Sequence, residues 1–78
     1  MAQDIAHQLD LRGMNAPITL LMVMQAFRRA NAGATLEILG SDVETRKDLF
    51  KVLQASRYEL ISFQDDMTSY HVLLRKRH

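Results

Sequence analysis

Hydrophobic periodicity switches between about 2 and about 3.6 residues along this chain, and that alternation restricts the fold more than any other feature. His7-Gln8-Leu9-Asp10-Leu11 alternates polar and apolar residues, the pattern of a half-buried strand, and stops at Gly13. The chain's one proline, Pro17, stands where a helix starts well, because its missing N–H costs nothing in a first turn. A helix is expected from Pro17 to about Asn31, with Asn31-Ala32-Gly33 as its stop and Asn31 or Gly33 taking a left-handed conformation. Ala34 to Leu39 reads as the second strand. Ser41-Asp42-Val43-Glu44 fits a capping box that opens a second helix, with Ser41 and Glu44 bonded reciprocally. In that helix Leu49, Phe50, Val52 and Leu53 form one stripe, and Arg46, Lys47, Lys51 and Gln54 fall largely outside it. Arg57 to Phe63 and Ser69 to Lys76 are rich in strand formers and flank Asp65-Asp66-Met67-Thr68, a connection of hairpin length.

The order β-α-β-α-β-β requires two helical crossovers between parallel strands, and their shared right-handedness puts both helices on one face. The expected fold class is α+β: a two-layer sandwich with a four-stranded mixed sheet and two helices on one side. With 78 residues, one core and one domain spanning 1–78 are expected, without room for a large buried active-site cavity.

Composition removes several functions. There is no cysteine, so disulfides, thiolate metal sites and thiol or persulfide chemistry are excluded for the chain as it stands. A net charge of +1 does not point to nucleic acid or an anionic membrane. Met1 to His7 contains Asp4 and lacks the long apolar run of a secretory signal, and Ile18 to Met24 is too short to span a bilayer. A cytoplasmic protein without membrane insertion is the expectation. His7, His71 and His78 are too scattered for a zinc motif, Asp65-Asp66 reads as a turn before it reads as a catalytic dyad, and Ser41 has no nucleophile-elbow context.

The segment Leu9-Asp10-Leu11-Arg12-Gly13-Met14-Asn15-Ala16-Pro17-Ile18-Thr19 resembles the signature of the TusA/SirA/YedF sulfur carriers, a strand ending in Leu-Arg-Gly, two variable residues, then Cys-Pro-x-Pro. Arg28-Arg29, Ala32-Gly33, Ser41-Asp42, Thr45 to Asp48 and Tyr70 to Lys76 also fit the family, so the resemblance covers nearly the whole chain. It implies the same two-layer sandwich, with the last strand antiparallel. It also implies a protein that takes a persulfide sulfur onto its motif cysteine and passes it on, without metal or organic cofactor. Implied partners are proteins of a sulfur relay: a cysteine desulfurase, a rhodanese-like or DsrE-like protein, or a sulfur-compound transporter. Direct nucleic-acid contact is not expected, and a monomer is.

A thiolate at a helix N-terminus is stabilised by the macrodipole and by unpaired backbone N–H groups, which is why such a motif ends where a helix begins. Three departures stand out in this sequence: Ala16 occupies the cysteine position, Thr19 the second proline, and Asp42-Val43 the strand-end Asp-Pro. A methyl group cannot attack sulfur. The favoured account is an engineered Cys→Ala substitution that stops turnover in an otherwise near-complete motif. The alternative is a natural cysteine-less relative that serves as an interaction or regulatory module.

Around position 16 the expected motif and helix-start residues are Arg12, Gly13 and Pro17. Met14, Asn15, Ile18, Met22, Arg28 and Arg29 are the expected partner contacts. The first helix is apolar on more than one side, leaving mainly Thr19, Gln25, Arg28 and Arg29 as polar positions; the second helix is expected to cover most of the rest. Met14, Ile18 and Met22 would then edge the Ala16 site as an adaptable docking patch. Arg12, Arg28, Arg29 and Arg46 are either a basic rim for an acidic partner or scattered solvated charges. RNA binding, on fold class alone, is a weaker third hypothesis.

Overall fold

The computed structural model describes residues 5–78, with side chains from His7 onward; most of the expectation about Met1 to His7 therefore lies outside the described residues. The elements are β1 (Ile5–Asp10), α1 (Ile18–Arg29), β2 (Thr35–Gly40), α2 (Val43–Val52), a short 3-10 turn (Ala55–Arg57), β3 (Tyr58–Asp65) and β4 (Tyr70–Lys76). They form a four-stranded sheet in the order β1-β2-β4-β3. β1 runs parallel to β2, and β4 is antiparallel to both β2 and β3. The α+β sandwich is as the sequence reading has it. The last strand is inserted at the centre of the sheet, between β2 and β3, so the second crossover spans the width of one strand before the hairpin returns.

One side of the sheet supplies the core. Leu36 and Ile38 of β2 and Val72 and Leu74 of β4 are fully buried with Val23 of α1 and Leu49 of α2. Alternation along the strands puts every second residue beneath the helices. Tyr58 links the layers at the C-terminal ends of the helices, edge-on to Phe27 at 6.5 Å and stacked with Phe50 at 6.2 Å between ring centroids.

Several boundaries move. Helix α1 ends at Arg29 instead of Asn31; the Ala30 amide closes the last turn onto Ala26 and Phe27, and the Lys76 ammonium donates to the carbonyls of Phe27, Arg28 and Ala30. Gly33, at φ 88°, takes the left-handed position offered to either Gly33 or Asn31. Arg57 lies in the 3-10 turn before β3 instead of in the strand. The capping box is also corrected. The cap of α2 is Asp42, whose carboxylate accepts the Thr45 N–H, while the Ser41 hydroxyl turns away to accept the N–H of Gly13 at 3.0 Å. A carboxylate is as good a cap as a hydroxyl and adds favourable charge at a helix N-terminus, so Asp42 displaces Ser41.

Candidate functional site

Strand β1 delivers Leu11 to the core, and the chain then crosses the top of the sheet to reach α1. Gly13 makes this possible with φ 83°, a left-handed value that other residues rarely adopt. Two neighbouring side chains from the β2–α2 connection hold the crossing segment: Ser41 bonds the Gly13 amide, and Asp42 Oδ2 accepts the Ala16 N–H at 2.7 Å. Arg12 is pinned separately, since its guanidinium makes a two-pronged pair with Asp10 at 2.8 and 2.7 Å. That pair draws the Asp10 carboxyl down to about 2.

Pro17 is the cap residue of α1, with helical φ −89° and ψ −4°, after a cis Ala16–Pro17 peptide bond. No side chain caps this helix, its first turn has no acid, and its last turn carries Arg28 and Arg29. The positive end of the dipole is thus left to whatever occupies the region of residue 16, which is half-buried.

Beneath that residue lies a polar chain that the sequence reading does not contain. Asp42 Oδ2 also accepts the Thr45 hydroxyl at 2.7 Å, and the Thr45 hydroxyl contacts that of Thr19. Because the Thr45 proton goes to the carboxylate, Thr19 is the donor to Thr45. Both threonines are fully buried. These contacts, the Ala16 amide foremost and the Thr45 hydroxyl next, pull the Asp42 carboxyl below its ordinary value. The Tyr70 ring completes the floor by lying against Gly40, its cross-strand partner, where an added Cβ would collide with the phenol. Burial raises the Tyr70 pKa, Thr45 opposes this more weakly, and no contact of its hydroxyl meets hydrogen-bond geometry among the described residues.

Thr19, one of the few polar positions of α1, therefore faces inward. Its helical partners at i+4 and i+8, Val23 and Phe27, are buried with it. The outward face carries Ile18 and Leu21, 59% and 55% exposed, and α2 begins with the exposed Val43. Met14 and Met22 pack partly against the core. Of the expected docking patch, Ile18 is the freely exposed member; Asn15 is exposed and bonds through its carbonyl to Thr19 N–H. Leu21, three residues beyond Ile18 on the same face, is the exposed neighbour that the sequence reading missed, and helical spacing from Ile18 was the signal for it.

Arg28 and Arg29 lie in the last turn of α1, roughly 16 Å of helix from Ile18. Arg46 is paired with Asp65 at the hairpin. The four arginines thus occupy three separate places instead of one rim. His71 hydrogen-bonds Glu37 at 2.7 Å on the open side of the sheet, where Gln8 first and His71 second lower the Glu37 pKa. Among the described residues no group of histidines, cysteines and acids is arranged to hold a metal ion, and no helix is long and apolar enough to cross a membrane.

A loop that leads from a strand through Arg12-Gly13 and sets residue 16 directly before an uncapped helix is the geometry implied by the Leu-Arg-Gly…Pro signature. Residues 7–76 match the family described as sulfurtransferase TusA. The chain belongs to the TusA family. Similar curated TusA relatives include the sulfur carrier protein TusA of Pseudomonas putida strain F1, 32% identical over 69 residues, which cover 88% of this chain and 86% of that protein. The protein of the same name from Pseudomonas entomophila strain L48 is 30% identical over 76 residues, covering 95% of both chains. Unlike a carrier that uses the motif cysteine, the chain has Ala16 at that position and no cysteine elsewhere.

Proposed function

We propose that this chain is a sulfur-carrier domain of the TusA type in a form that docks with sulfur-relay proteins but does not transfer sulfur, because Ala16 stands at the persulfide position. The observation that carries the reading is the placement of residue 16 beside an uncapped helix N-terminus, on a loop held by Ser41 and Asp42. Arg12, Gly13 and Pro17 shape that loop, and Asn15, Ile18 and Leu21 offer the exposed contact beside it, with Met14 and Met22 behind them. The partners are a cysteine desulfurase, a rhodanese-like or DsrE-like protein, or a sulfur-compound transporter, met in the cytoplasm. Calorimetric titration of a cysteine desulfurase into this chain tests the docking half. Ile18→Asp, exposed and therefore tolerated by the fold, is expected to weaken binding at least about tenfold; undiminished binding would contradict it.

A second reading, a natural cysteine-less interaction module, is favoured by Thr19. An engineered replacement of one cysteine accounts for Ala16 alone. Thr19 departs from the family pattern too, and it is fully buried and bonded to Thr45, which in turn bonds Asp42. The departure is built into the core. The codon for residue 16 in the source gene separates the readings: an alanine codon establishes the natural module, and a cysteine codon the engineered one.

A further inference from the structure

The C-terminal ends of α1 and α2 part to leave a groove of about 250 Å³ lined by Met24, Phe27, Val52 and Leu53, with Arg28, Arg57 and Lys76 around it. No acidic residue lines it. Three of its eight lining residues are basic, and among the described residues no salt bridge cancels their charge. Arg28 is exposed, and its guanidinium makes no hydrogen bond or ion pair among the described residues. Among the described residues the side chain of Arg57 finds only the neutral side-chain amide oxygen of Gln54, at 3.0 Å, and the backbone carbonyl of none of its acidic neighbours. Lys76 is spent on the carbonyls that end α1 and lies 5.1 Å from the centroid of the Phe27 ring, so it offsets the negative end of the helix dipole at this spot.

We propose that this groove is a docking surface for an acidic segment of a partner protein. One apolar side chain of that segment seats on Met24, Phe27, Val52 and Leu53, and carboxylates on either side of it meet Arg28 and Arg57. The volume falls below the about 300–1,000 Å³ of small-molecule sites and suits a single large side chain. Two uncompensated arginines give the segment its sign, since guanidinium groups pair with carboxylates in a two-pronged geometry. The groove lies at the opposite end of α1 from Ile18, so a partner held there leaves residue 16 free. The proposal does not depend on what residue 16 does.

The test is a backbone amide NMR titration of the full chain with the blocked peptide Glu-Glu-Phe-Glu-Glu. Saturable shifts are expected at Met24, Arg28, Val52 to Gln54 and Arg57, with the loop around residue 16 unmoved. Replacing the peptide's phenylalanine by alanine, or its glutamates by lysines, should abolish saturation. The double variant Arg28→Gln/Arg57→Gln, whose sites are exposed and whose fold the same spectra verify, should bind at least about tenfold more weakly. Shifts scattered over all basic residues, no saturation, or equal binding by the double variant would overturn the proposal. So would stronger shifts of the same amides by phosphatidylglycerol vesicles or by a single-stranded oligonucleotide.

Discussion

Asp42 Oδ2 accepts the backbone N–H of Ala16 at 2.7 Å, and the same oxygen caps α2 through Thr45. One carboxylate therefore fixes two things, the start of a helix and the position of the loop that carries the family motif. Asp42→Ala removes both and is expected to cost about 1–3 kcal/mol in chemical denaturation. The amide of residue 16 should exchange with solvent much faster. Asp42→Asn, which keeps an acceptor oxygen, should recover most of the stability; an alanine variant as stable as the parent would show that the carboxylate holds nothing.

The two buried threonines should respond unequally. Thr19→Val leaves the Thr45 hydroxyl still donating to Asp42 and removes only a bond into it, at a cost of about 1 kcal/mol. Thr45→Val strands the Thr19 hydroxyl in the core and takes a donor from Asp42, costing about 2–3 kcal/mol. Equal losses, or a larger loss at Thr19, would contradict the assigned direction of the chain.

Tyr70→Phe removes a buried phenol that meets no hydrogen-bond geometry among the described residues, and should leave stability unchanged or raise it by about 1 kcal/mol. Gly40→Ala forces the same ring out of its place, and should destabilise by about 2 kcal/mol or more. The pair of variants is read by thermal melting. A clear loss for Tyr70→Phe would mean that the hydroxyl is bonded after all.

Acid sensitivity follows from four carboxylates. The pKa of Asp42 is lowered from 3.8, as is that of Asp66, which accepts the backbone N–H groups of Thr68 and Ser69 in the hairpin turn; that of Glu37 is lowered from 4.5, and that of Asp10 from 3.8 to about 2. A carboxylate held below its unfolded value stabilises the fold fully above that value, and the contribution is lost as pH falls through the folded one. Tm is therefore expected to be level above about pH 5 and to fall from there toward pH 2, with a shallower fall in Asp42→Asn. A Tm independent of pH over that interval would contradict the hydrogen bonds assigned to these groups.

The elements, the two-layer class and the placement of residue 16 before a helix were legible because periodicity and Pro17 are local signals. Burial of Thr19 was not. A threonine among Ile18, Leu20 and Leu21 looks like the polar exception on an apolar helix. Only the arrival of Thr45 from a second helix gives its hydroxyl a partner and lets it turn inward, carrying Ile18 and Leu21 outward. Ser41 misled for a related reason: two adjacent residues are both good caps, and the demand of the Gly13 amide for an acceptor decides between them. The insertion of β4 at the sheet centre is likewise set by long-range pairing.

The central claim is that position 16, and no other, is where this fold would bear sulfur. Ala16→Cys and, as a control, Asn31→Cys at an exposed site just beyond the far end of α1 should each be incubated with a cysteine desulfurase and free cysteine and weighed intact by mass spectrometry. The account predicts the added mass of a sulfur atom on the position 16 variant, reversible by reductant, and none on the control. Absence of the gain at position 16, or an equal gain at position 31, would contradict it.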